Sequence, residues 1–111
     1  MKKKMPRTID YIDAEISHAD RPVVLEFHDW YFTPCITQAR RLVRASVHSP
    51  LPAQVIGVNV EEAPRIADRY AVSTVPSIVP LRDSKIVARF TGLADAGNMI
   101  SALEADQIAL A

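Results

Sequence analysis

The sequence predicts an α/β domain: a mixed β-sheet, in which a parallel β-α-β unit is closed by an antiparallel hairpin, with helices on both faces. Three observations predict it. The chain has 111 residues, enough for one domain that buries its own core. Apolar β-type runs at 23–27, 55–60 and 77–81 are separated by segments of helical periodicity, and strands separated by helices pair in parallel. A fourth run, 86–90, follows the third after Arg82-Asp83-Ser84-Lys85, and a connection of four residues suits an antiparallel hairpin.

Residues 1–7, MKKKMPR, are basic with no apolar run behind them. They read as a disordered tail before a single domain at 8–111. Neither a signal peptide nor a membrane span is visible, so a cytoplasmic protein is expected. Ile9, Ile12 and Ile16 recur at helical spacing, predicting a helix over residues 8 to about 18 with Thr8 as its cap. Asp20-Arg21-Pro22 ends it. Val23-Val24-Leu25-Glu26-Phe27 is apolar except for one acid, as a strand covered on both faces should be. Thr33-Pro34 opens a second helix running to about His48, with threonine as cap and proline at the first helical position. Its expected inward stripe is Ile36, Ala39, Leu42, Val43 and Val47, with Cys35 beside Ala39 and Leu42. Residues 62–70 form a short helix with Pro64 in its first turn. Pro80 falls within a strand, where its missing N–H suggests an edge or a bulge. Asp95 opens a last helix, with Met99, Ile100 and Leu103 facing inward.

The composition excludes several function classes. Thirteen basic and thirteen acidic residues give zero net charge, which leaves no electrostatic footprint for nucleic acid. No membrane partner is expected. The single cysteine rules out a disulfide within the chain and a multi-thiolate metal site built by one copy. His18, His28 and His48 form no ligand spacing with Cys35 and read as isolated surface or capping residues. No metal and no cofactor are expected.

The order of elements and four local patterns resemble the thioredoxin family. These are Arg21-Pro22-Val23-Val24-Leu25-Glu26-Phe27, Pro34-Cys35 at a helix start, Val60 to Pro64 with Tyr70 to Ser77, and Gly92 with Gly97. The resemblance covers residues 21 to about 105. It implies that Val75-Pro76 is the family's cis-proline, whose preceding backbone pairs with an extended peptide. It also implies that Glu26 is the buried acid, a proton acceptor, beneath the resolving cysteine. The departure is chemical. The family's Trp-Cys-Gly-Pro-Cys is here Tyr31-Phe32-Thr33-Pro34-Cys35, so the attacking cysteine is Phe32.

Dithiol exchange needs one thiolate to attack and a second thiol to resolve the mixed disulfide. Turnover as a dithiol oxidoreductase is therefore not expected. Cys35 reads first as a slow, core-facing thiol, because burial outweighs the helix N-terminus; a reactive, partner-linked thiol is the alternative. Trp30, Tyr31, Phe32, Thr33 and Pro34, with Val75 and Pro76, are the candidate binding residues, unless Trp30 and Phe32 fold back onto the core. Two functions follow. One is a non-catalytic protein-binding or assembly module that takes a protein or extended peptide at the cis-proline groove, with a homodimer as a further candidate. The other is a one-cysteine redox protein acting through mixed disulfides, with Cys35 as the thiol and Glu26 as its base. Likenesses to peroxiredoxins and to monothiol glutaredoxins are weaker. The Thr33–Cys35 spacing is one residue short for the first, and the cysteine stands at the wrong end of the motif for the second.

Overall fold

A computed structural model describes residues 9–48 and 53–105, with side chains from residue 12 onward. The basic tail, the Thr8 cap and the prolines after His48 lie outside the described residues. The first helix, α1, is Ile9–Ser17. The strand β1, Val23–His28, is buried at every position. It lies between β2, Gln54–Asn59, which is parallel to it, and β3, Ser77–Arg82, which is antiparallel. The remaining elements are α2 (Thr33–Val47), α3 (Pro64–Arg69), β4 (Lys85–Ile86), β5 (Phe90–Thr91) and α4 (Gly92–Glu104). The sheet order is β2-β1-β3-β4, with β5 also on β3. This is the mixed α/β sheet that the sequence predicts.

Strand periodicity assigns the two faces of β1 to different layers. Val23, Leu25 and Phe27 pack with Ile12 and Ile16 of α1 and with Ile66 and Ala67 of α3. Val24 packs on the opposite face with Leu42 and Ala45 of α2 and with Met99, Ile100 and Leu103 of α4. Helices therefore cover both faces, and a covered central strand can be apolar throughout.

Five local expectations need correction. The cap of α2 is Phe32, with no side-chain hydrogen bond; the Phe32 carbonyl accepts the N–H groups of Cys35 and Ile36 at 3.0 and 3.4 Å, so Thr33 is already helical. The inward face of α2 is Cys35, Leu42, Ala45 and Ser46, while Val43 and Val47 are exposed. The helix packs on β1, β2 and α4, which turns residues 42, 45 and 46 inward. α4 begins at Gly92 rather than Asp95; the left-handed φ of 89° at Gly92 is open to glycine without steric cost.

The fourth correction concerns 86–90, which is not one strand. Ile86 faces Leu81 and Phe90 faces Ile78, so four steps on this side match three on β3. One extra residue therefore bulges opposite Val79 and Pro80. Pro80 has no N–H to give the ladder, although its carbonyl accepts the Val87 N–H at 2.9 Å. The bulge is on the partner strand, and β3 itself is internal, not an edge. The hairpin loop is also tighter than expected. Arg82 pairs with Lys85, leaving Asp83 and Ser84 with φ of 50° and 66°, the sign a two-residue I′ turn demands.

Candidate functional site

β1 runs into Asp29 and the loop 30–32, which the chain leaves through α2. The loop is held by backbone geometry. The Tyr31 N–H donates to Asp29 Oδ1 at 2.9 Å, and the Phe32 N–H donates to the Asp29 carbonyl at 3.1 Å. This leaves the three aromatic side chains outside: Trp30 is 56% exposed, Tyr31 86% and Phe32 40%. Tyr31 stands clear of the core, while Trp30 rests partly on His28. Thr33 and Pro34 are also exposed.

Cys35, one turn further on, has no exposed surface. Its Sγ lies 3.9 Å from the Phe27 carbonyl oxygen. Burial pushes its pKa above the ordinary thiol value of 9.0; a backbone contact with Asp29 opposes this, and the charges of Glu26 and Asp29 add to the upward push. The helix N-terminus therefore does not make this thiol a ready thiolate.

The loop before β3 comes to the same end of the sheet. Ser77, first in β3, faces Phe27 near the end of β1, so residues 74–76 lie at the end from which residues 29–32 depart. The Val75–Pro76 peptide is cis. Val75 is half-buried and Pro76 buried. The Pro76 carbonyl accepts the Gly92 N–H at 2.9 Å, and the Ser77 hydroxyl donates to the Thr74 carbonyl at 2.6 Å. The loop is thereby fastened on both sides of the proline.

Glu26 lies on the α2 face of β1 and is 3% exposed. Its side-chain partner is His28, whose Nδ1 stands 2.7 Å from Glu26 Oε1. His28 is thus not a surface or capping histidine; it is 6% exposed. Its ring and that of Trp30 meet in an edge-type contact, with centroids 4.7 Å apart and planes inclined at 66°. Residues two apart on a strand share a face, so Glu26-Phe27-His28 carried the signal for this pair. Gly57 was the complementary signal: it sits opposite Glu26 on β2 and presents no side chain there. Among the described residues, no group of three or more His, Cys, Asp or Glu is placed to hold a metal, and no helix is long and apolar enough to cross a membrane.

Comparison with known proteins places this arrangement in context. A family model described as thioredoxin matches residues 5–105. Thioredoxin Y2, chloroplastic, of Arabidopsis thaliana is 24% identical over 98 residues, covering 88% of this chain and 59% of that protein. A thioredoxin-like protein of Synechocystis is 25% identical over 89 residues, covering 80% of this chain and 85% of that one. The germline-specific thioredoxin Deadhead of Drosophila matches in structure with a TM-score of 0.73 at 25% identity, over 91% of this chain and 99% of that one. The Fasciola hepatica thioredoxin matches with a TM-score of 0.71 at 24% identity, over 85% and 92%; this likeness is one of fold. The chain spans about three fifths of the length of the Arabidopsis relatives it matches.

Proposed function

The chain belongs to the thioredoxin family, and from that premise we propose that it is a non-catalytic member, a protein-binding or assembly module that uses the groove beside Pro76. One observation carries this reading. The position from which a family member attacks is Phe32, 40% exposed, while the one thiol that remains has no exposed surface. Contact area is offered where a nucleophile is missing. An exposed aromatic cluster at one end of a sheet is the kind of surface that partners cover, and aromatic side chains supply most binding energy per residue at interfaces. The partner we propose is a protein segment in extended form, pairing with the backbone before Pro76 by strand addition and laying its side chains on Trp30, Tyr31 and Phe32.

Insulin reduction tests the catalytic half of this reading. Wild type should show no turnover, and Phe32→Cys should gain some. Robust turnover by the wild type would overturn the proposal. Exposure of the folded protein to oxidised glutathione tests the competing mixed-disulfide reading. Intact mass should stay unchanged, and an adduct on Cys35 would favour the one-cysteine redox protein. Peptides selected on the wild type from a displayed library should lose about tenfold in affinity with Tyr31→Ala, the loss of a typical interface aromatic. Equal affinity for both would remove the aromatic loop from the binding surface.

A further inference from the structure

A free sheet edge and an apolar helix flank meet on one side of the molecule. Among the described residues, β2 pairs only with β1. The Gln54 N–H donates to the Pro22 carbonyl at 2.9 Å and the Val60 N–H to the His28 carbonyl at 3.0 Å. Backbone groups alternate in direction along a strand, so those of Val55 and Gly57 point away from β1, to the open side. Both residues belong to the α2 face of the sheet. Val55 packs against the cluster beneath α2 and α4, and a Cβ on Gly57 would lie 3.5 Å from Glu26 Oε1. Gln38 and Arg41 tie one flank of α2 to α4. The other flank stands over the β2 edge, with Val43 and Val47 50% and 68% exposed. Two open clefts of about 340 and 330 Å³ run along it and share Val43. The first, at the His28 end, holds Trp30, Ile36 and Arg40. The second, at the Gln54 end, holds Arg21, Val47 and Val55. One arginine lines each cleft, and no described acid lines either. The acids Asp20, next to Arg21 in the chain, and Glu15, which contacts Gln54, lie outside both.

We propose that this flank is a second docking surface, for an extended segment of a partner protein that pairs antiparallel with β2 and carries an acid at each end. An added strand bonds to the outward groups of Val55 and Gly57. Its residues opposite those two turn their side chains to the same face, into the clefts. Opposite Val55, an aliphatic side chain meets Val43 and Val47. Opposite Gly57 no side chain is in the way, so an aromatic ring can lie across the glycine toward Trp30. The next positions on this face fall opposite Asn59 and Ala53, at the ends where Arg40 and Arg21 stand, and acids belong there. Charge disfavours two other occupants. Residues 1–7 of this chain carry four cations and no acid, and would set like charge against both arginines. A second copy, pairing β2 with β2 about a two-fold axis, would bring Arg21 of each copy toward Arg40 of the other. The surface lies on the β2 side of β1 and the Pro76 loop on the β3 side, so it stands apart from the groove proposed above.

The probe is the capped heptapeptide Glu-Thr-Phe-Thr-Val-Thr-Glu, added to the full chain at up to millimolar concentration and followed by amide hydrogen exchange and NMR shifts. The Val55 and Gly57 amides should become protected, while the Gly92 amide, bonded to the Pro76 carbonyl, stays as it was. Affinity should weaken with added salt. Arg21→Glu with Arg40→Glu should lower it about tenfold, the scale of two rim charge pairs; both arginines are exposed, so the fold is not at stake. A peptide with lysine in place of both glutamates should bind the wild type as weakly and recover on the double variant. No protection at Val55 and Gly57 would overturn the proposal, and so would equal binding of the lysine peptide to the wild type. Two results in the free protein would overturn it as well. One is a concentration-dependent dimer that protects those amides, which gives the edge to a second copy. The other is protection that vanishes when residues 1–7 are removed, which gives it to the chain's own terminus.

Discussion

Glu26 and His28 support the fold only together. Each is buried, and removing one member of a buried hydrogen-bonded pair strands the other without its partner. Glu26→Leu should therefore cost about 3 kcal/mol in urea unfolding, the usual scale for breaking a buried pair. Adding His28→Leu should recover part of that loss, since two apolar side chains of similar volume leave nothing unsatisfied. A double variant less stable than either single one would mean that the pair contributes more than its own desolvation. At this scale the sequence was half legible. Cys35 was readable as buried because a helix beginning near Pro34 turns it toward Leu42. Phe32 was readable as a missing nucleophile by alignment to a motif. His28 was not, because one histidine among three has no periodicity of its own; its meaning comes from sharing a strand face with Glu26 and from the absent side chain at Gly57.

The elements that deliver the site end in ways the sequence only partly announces. α3 closes on Tyr70, and Ala71 follows with a φ of 55°. The Val72 N–H returns to the Ala67 carbonyl at 2.8 Å and the Ala71 N–H to Asp68 at 3.1 Å, the paired bonds of a Schellman ending. Arg89, from the bulged segment, donates to the Tyr70 carbonyl and so ties that helix end to the far strand. Glycine is the residue such an ending favours, and alanine in a left-handed conformation is strained by about 1 kcal/mol. Ala71→Gly should accordingly raise stability by up to about 1 kcal/mol in denaturant unfolding, while a loss would mean that the Ala71 methyl has packing value. This ending was invisible in the sequence because its usual marker, the glycine, is not there. Pro80 was a better guide, since a residue with no N–H forces the ladder to break somewhere. The break falls on the facing strand, where an extra residue costs no partner.

Across the whole molecule, the alternation of apolar runs and helical periods made the layers legible before any coordinates, because parallel strands buried on both faces admit few arrangements. What it left open was the rotation of α2, which its packing against β1, β2 and α4 sets. The same burial that defines the core defines a pH limit. Cys35 and Tyr70 both have pKa values pushed above 9.0 and 10.0, chiefly by burial. The unfolded chain thus releases these protons at lower pH than the folded one, and stability falls as pH rises once the unfolded thiol ionises. The urea midpoint should hold to about pH 8 and decline above about pH 9, with Cys35→Ala removing the first part of the decline; a midpoint flat to pH 11 would contradict the burial of both groups. The register offset beside Pro80 has a different consequence, for the rims of the sheet. β4 and β5 have two residues each and are set apart by the bulge, so that rim offers no unbroken row of donors and acceptors for another strand to copy. β2 has six residues and, among the described residues, pairs only with β1. Its outward amides should exchange with solvent deuterium sooner than those bonded to β1, and unwanted growth of the sheet into fibrils would begin along that rim.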